Sequence, residues 1–234
     1  MIKIVRQAAK ITASSFIGRA GGVSFLLFFS LMLLSSCSED TPEYNPYYDW
    51  QSRNATWYRQ VADSARTAIS QARRQYGDLW QQHCNWRMYK ALQLSQTTQS
   101  GVTEDSICVR ILSNGAGSFS PTYADSVRVC FRGWLMPTPS EQGTLQETTF
   151  TQTYYGDYNP ATAAPQLAAV GGFKDGFSTA LQYMVAGDDW MVYIPQELFY
   201  GSLDQDAIPA YSAVRFRIQL VAIYPSGTDV PAWK

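Results

Sequence analysis

Four stretches of this chain alternate apolar and polar residues with a period of two, and that alternation narrows the folds open to it more than any other feature. In DSICVRILSNG, Ile107, Val109 and Ile111 oppose Cys108 and Arg110, and SNG supplies a turn. In ADSVRVCFRGWL, Val127, Val129 and Phe131 oppose Arg128, Cys130 and Arg132. DDWMVYIP alternates likewise, and in AVRFRIQLVAIY the residues Val214, Phe216, Ile218 and Leu220 share a face. Successive strand side chains point to opposite faces, so each stretch predicts a half-buried strand, with Cys108 and Cys130 on the outward phase. Ahead of DDWMVYIP, Phe177, Leu181 and Met184 recur at helical spacing, and Gly187 stands where a left-handed cap is wanted. One short helix lying on an antiparallel sheet is an α+β domain, bounded here at residues 101–226, with 227–234 as a tail.

Upstream the period changes. Trp57, Val61, Ala65, Ala68 and Ala72 form a helical stripe, with Arg59, Arg66, Arg73 and Arg74 mostly off it. The spacing predicts an amphipathic helix of about five turns ending near Gly77. Such a helix packs on its own domain or serves as an arm that pairs with a second copy, giving a homodimer. LWQQHCNWRMYKALQL has helical propensity but mixed phase, and no element is assigned to it within the helical extension, residues 50–100. Residues 37–49, rich in Pro and Tyr, read as an extended linker.

The first residues are an address. Lys3, Arg6, Lys10 and Arg19 stand without an acid before the apolar run Val23 to Leu34, the pattern of a secretory signal over residues 1–36. LSSC, Leu34 to Cys37, resembles the bacterial lipobox, in which the Cys is acylated. Lipidation at Cys37 implies membrane attachment without a spanning helix, each buried acyl carbon contributing about 0.8 kcal/mol. Ser38, Glu39 and Asp40 resemble outer-membrane sorting signals. The expected location is therefore the cell envelope, lipid-anchored to the outer membrane, facing the periplasm or the surface.

A net charge of −1 and a pI near 5.8 give no electrostatic case for nucleic acid. Aromatic residues make up 14% of the chain against 16% charged, so rings must fill a core or line a groove. Cys84, Cys108 and Cys130 have no metal-like spacing, and neither metal nor cofactor is expected. Free thiols and a Cys108–Cys130 disulfide both fit that count. The glycosylation pattern NAT at Asn54 is discounted, as are the glycines of GGFKDG as a phosphate loop.

The blocks VRVCFRGWL, TTFTQTYYG, GFKDGFSTALQYMVAGDDWMVYIPQELFYG and IPAYSAVRFRIQLVAI, in that order, resemble the FKBP family of peptidyl-prolyl cis-trans isomerases, and most closely its bacterial outer-membrane lipoproteins. The resemblance implies a five-stranded antiparallel sheet wrapped around the short helix, with an apolar groove between them. It also implies that the last strand separates the Cys108 and Cys130 strands, against their disulfide. Carried onto this sequence, the groove's catalytic surface is Tyr200, Phe177, Phe131, Phe150 and Phe216. Phe173, Lys174, Ile208 and Thr151 bind the proline-containing polypeptide. Tyr200 would present its hydroxyl to a substrate carbonyl, and Lys174 its backbone N–H. Rotation about Xaa-Pro is slow because amide resonance must be broken, a barrier of about 18–20 kcal/mol, and an apolar cleft lowers it without nucleophile or metal. Thr151 stands where the family usually has Asp, and Phe177 where it commonly has Trp. These departures imply a weak isomerase assisting protein folding at the envelope, or alternatively a non-catalytic proline-peptide-binding or chaperone lipoprotein using the same groove.

Overall fold

The alternating stretches pair as one antiparallel sheet in a computed structural model that describes residues 44–94 and 102–233. The expected signal peptide, 1–36, and Cys37 lie outside the described residues. Nine strands are described: β1 (Trp86–Lys90), β2 (Ser106–Ser113), β3 (Ser126–Leu135), β4 (Thr138–Pro139), β5 (Leu145–Gln146), β6 (Thr149–Gln152), β7 (Gln166–Ala169), β8 (Asp189–Ile194) and β9 (Val214–Tyr224). The main sheet runs β1-β2-β8-β9-β3-β6, with β7 also on β3. β6 lies opposite Arg132–Trp134 and β7 opposite Ser126–Val129, so the two share one interrupted edge. The expected five-strand sheet is present as β2, β8, β9, β3 and that edge. β1 adds a strand beyond it, which gives the unassigned segment after Gly77 an element: mixed phase suits a strand whose residues are all half-buried.

Two helices cover the sheet. Helix α2 (Asp175–Tyr183) lies in its concave face, burying Phe177, Ala180 and Leu181 against Ile107, Val109, Val192 and Ile194. Gly176 makes that approach feasible, since a Cβ there would stand 2.3 Å from Ile194 Cγ2. The helix ends at Tyr183 rather than running to Gly187; Gly187, at φ 94°, instead turns the chain into β8.

Helix α1 (Trp50–Tyr76) covers the other face. It is longer than expected and rotated: Asn54, Tyr58, Ala62, Ala65 and Ala72 are its buried face, whereas Val61 and Ala68 lie on the half-buried flank. Tyr58, Ala62 and Ala65 pack with Cys108 and Ala213, while Trp57 and Trp86 flank Tyr193. Polar contacts fix the register. The Asn54 amide oxygen accepts from Ala213 N–H at 3.0 Å, the Trp50 indole N–H donates to Ser212 Oγ at 2.9 Å, and the Tyr58 hydroxyl donates to the Ser106 carbonyl.

This covering buries Cys108, and Cys130 is fully buried as well, which corrects the outward assignment of both. Cys108 points away from the groove helix, as its phase requires, but into α1. Two strands, β8 and β9, separate β2 from β3, one more than the resemblance implied, and all three described cysteines are free. The described end of the 37–49 stretch is not extended: residues 46–49 form a turn, and the Tyr44 hydroxyl donates to the Pro139 carbonyl. At the other terminus, Arg128 donates to the Pro231 carbonyl at 2.7 Å and lies against the Trp233 ring.

Candidate functional site

Between α2 and the strands opposite it the sheet leaves a cavity of about 370 Å³. Its wall is built from successive elements. Phe131 comes from the inward phase of β3 and Phe216 from that of β9, their rings 6.2 Å apart and close to perpendicular. Phe150 and Thr151 come from β6, where the pairing shifts register between Gly133 and Trp134. That shift lets the Phe150 ring meet Phe216 edge-on at 5.4 Å. Phe177 rises from the first turn of α2 to form the floor, stacked on Phe173 at 4.5 Å and perpendicular to Phe216 at 5.0 Å.

The far rim is made by the turn after β8. Pro195 follows Ile194 and ends the ladder, since it offers no N–H to the next rung. A 3₁₀ turn over Gln196–Leu198 then delivers Phe199 and Tyr200, and Gly201, at φ 59°, closes the corner with its N–H on the Gln196 carbonyl at 2.8 Å. Ile208 is buried beside it, held by a two-way bridge with Gln205. The bridge forces Asp206 into the left-handed region, at φ 43°, and puts it on the rim.

All nine residues singled out from the sequence, Phe131, Phe150, Thr151, Phe173, Lys174, Phe177, Tyr200, Ile208 and Phe216, line this one cavity. Five further residues were not anticipated: Gly172, Phe199, Gln205, Asp206 and Ala207. Phe199 matters most of these, because its ring contacts Tyr200 at 4.5 Å, Phe216 at 5.8 Å and Phe150 at 6.0 Å, joining the two rims. The adjacency Phe199-Tyr200 carried the only signal for it.

The polar groups at the mouth are few. Among the described residues neither the Tyr200 hydroxyl nor the Lys174 backbone N–H has an acceptor, so both donors are open to a ligand. Lys174 takes an extended conformation ahead of α2, its carbonyl accepting from Ser178 N–H at 2.8 Å and its ammonium 4.5 Å above the Tyr200 ring. A cation over the phenol face orients both side chains. Among the described residues no group of His, Cys, Asp and Glu is placed to hold a metal ion, and no helix is long and apolar enough to cross a membrane. His83 stacks on Tyr76 at 3.9 Å.

Residues 117–221 match the family model of FKBP-type peptidyl-prolyl cis-trans isomerases. The chain is 32% identical over 122 residues to the FKBP-type 22 kDa peptidyl-prolyl cis-trans isomerase of Escherichia coli (strain K12), an alignment covering 52% of each chain. It is 28% identical over 117 residues to the macrophage infectivity potentiator of Trypanosoma cruzi, covering 50% of this chain and 52% of the relative. The chain thus spans about half the length of the curated relatives it matches. Among solved structures, it is similar to FkpA from Escherichia coli, with 19% identity, a TM-score of 0.41 and coverage of 74% of this chain and 65% of that one. It is also similar to a peptidyl-prolyl cis-trans isomerase from Pseudomonas syringae pv. tomato, with 20% identity, a TM-score of 0.38 and coverage of 71% and 95%. The similarity to FKBP-type peptidyl-prolyl cis-trans isomerases therefore extends over residues 117–221, the stretch that supplies the whole wall of the cavity.

Proposed function

We propose that this chain is a peptidyl-prolyl cis-trans isomerase of low turnover that assists protein folding at the cell envelope. The observation that carries the reading is a cavity walled by six phenylalanines with two unused donors, Tyr200 Oη and Lys174 N, at its mouth. A prolyl ring entering it exchanges water for aromatic faces. The amide twisted halfway is less dipolar than the planar one, so removing water costs it less, and its barrier falls. The two donors hold flanking carbonyls still during the rotation. Thr151 stands where the resemblance expects a carboxylate, so that position offers no carboxylate acceptor to organise the Tyr200 hydroxyl, which supports the low turnover.

A protease-coupled assay on an Xaa-Pro peptide tests this. Wild type is expected to exceed the uncatalysed rate, and Tyr200→Phe to lower kcat/KM by about 0.5–1.5 kcal/mol, the worth of one neutral hydrogen bond. Phe177→Ala should abolish turnover, with melting recorded alongside because the ring is also core. Peptide binding retained at a background rate would favour the second reading, a proline-peptide-binding or chaperone lipoprotein, which the same Thr151 substitution favours.

Anchoring belongs to the proposal too. Acylation at Cys37 and attachment to the outer membrane are supported by the lipobox-like LSSC, and palmitate labelling lost in Cys37→Ala is the check. A homodimer through α1 would use its arginine-bearing outer face, because its apolar face rests on its own sheet. Sedimentation of the chain with and without residues 50–76 decides that.

A further inference from the structure

A second concavity, of about 670 Å³, lies between the C-terminal half of α1 and β1, outside the aromatic groove. Its lining has an unusual charge. Arg66, Arg73, Arg74 and Arg87 all contribute, and no acidic residue lines it, although the chain as a whole carries a net charge of −1. The indole of Trp80 sits within the cluster, with the guanidinium carbons of Arg73 and Arg87 4.7 and 4.9 Å from its ring.

The four guanidiniums are not equally occupied. Arg66 is paired with Asp63 at 2.9 Å. Arg87 is held in place, donating to the carbonyls of Gln81, Cys84 and Trp86 at 2.7–2.8 Å, contacts that orient it without neutralising it. Arg74 donates to Ser70 Oγ at 2.9 Å. The Arg73 side chain has no hydrogen-bond or carboxylate partner among the described residues and lies over the Trp80 face. Two basic residues in a last helical turn are ordinarily explained by the helix dipole. That explanation covers the presence of Arg73 and Arg74. It accounts neither for Arg87, which comes from a strand, nor for the approach of two guanidiniums to one indole, one of which, Arg73, keeps its N–H groups uncommitted.

We propose that this pocket binds a phosphomonoester or pyrophosphate group. Three guanidiniums without a carboxylate call for an anion of more than one charge. The absence of Lys among them favours an oxyanion that accepts paired N–H donors. The volume exceeds a single phosphate, and Tyr89 and Met88 supply an apolar wall for the body that carries it. The same group occurs on phosphorylated solutes and on anionic lipid headgroups.

Full-length protein titrated calorimetrically with inorganic pyrophosphate is expected to show one saturable site. The Arg73→Gln/Arg74→Gln variant should bind about tenfold more weakly or worse, as the loss of charge-assisted hydrogen bonds implies. Arg59→Gln, which removes a guanidinium paired with Glu104 outside the pocket, should bind as wild type. If the double variant does not fold, Arg73→Gln alone decides, since that side chain makes no hydrogen bond. A vesicle arm separates the two sources. Sedimentation with phosphatidylcholine vesicles containing phosphatidic acid, above that with phosphatidylcholine alone and competed by pyrophosphate, assigns the headgroup; pyrophosphate binding without it assigns a soluble ligand. Absence of saturable binding, equal affinity in the arginine variants, or complete loss in chloride at matched ionic strength would each overturn the site.

Discussion

At Gly133 the backbone of β3 passes where a side chain would close the cavity: a Cβ there would stand 2.6 Å from a Phe216 ring carbon and 2.8 Å from the Phe150 ring. Real carbon contacts are not that short, so Gly133→Ala must displace both rings. Such overpacking costs about 1–3 kcal/mol in a dense core. A melting-temperature loss accompanied by weaker Xaa-Pro peptide binding is expected; unchanged binding would show that the rings shift without narrowing the groove. The position illustrates which residues were readable beforehand. Phe131 and Phe216 follow from strand phase, and Phe177 from helical spacing. Phe199 and Asp206 do not, because a 3₁₀ turn and a bridged loop have no period that says where a side chain points. Gly133 was equally silent, since a glycine in a strand announces a close approach without naming what approaches.

At the scale of elements, α1 shows why an alanine-rich stripe is ambiguous. Ala65 and Ala72 are buried as the stripe expects, but Ala62 is buried where Val61 and Ala68 are not, and neighbouring choices of stripe differ by less than a third of a turn in a sequence of small residues. What selects the face is tertiary: Asn54 meets a free N–H at Ala213, and Tyr58 meets the carbonyl of Ser106 beside Cys108. None of these partners is close in sequence. Tyr58→Phe leaves that carbonyl without its donor, at an expected cost of about 1–3 kcal/mol by chemical denaturation. The Cys108 thiol beneath is pushed up to about 11 by burial, against 9.0 for a free thiol. A raised folded-state pKa means that the folded chain holds this proton more tightly than the unfolded one. Its contribution is complete below about 9 and disappears as pH climbs through about 11. Stability should therefore decline across that window in wild type, and measurably less so in Cys108→Ala. The half-buried Cys84 should react with thiol reagents before Cys108 or Cys130.

Across the whole molecule, the chain closes on a single carboxylate. Asp125, at the entrance to β3, accepts the Thr122 N–H at 2.7 Å through one oxygen and the Ser226 N–H at 2.8 Å through the other, while its carbonyl accepts the Val170 N–H at 2.9 Å. Three segments far apart in sequence are fastened at one residue: the loop before β3, the turn after β7 and the exit of β9. The backbone N–H of Thr122 is the chief cause holding the Asp125 carboxyl below its ordinary 3.8, with Ser226 reinforcing it and burial opposing. Because the folded pKa is the lower one, the contribution is fully present above about pH 4. It is lost as pH falls through the depressed value. Asp125→Asn keeps one acceptor oxygen but replaces the other with a donor, which faces an N–H it cannot satisfy. The variant should be less stable than wild type near neutrality, and the gap should shrink on acidification as the wild-type carboxyl protonates. Parallel melts from neutral pH to below about pH 4 would show this convergence, and a constant gap would mean that Asp125 acts through packing rather than charge. The β9 exit is the segment to watch. If the clamp operates as described, amide exchange at Ser226 and in the turn after it should rise in acid ahead of the β3–β9 ladder, whose pairing spans Ser126–Leu135 and needs no ionised group.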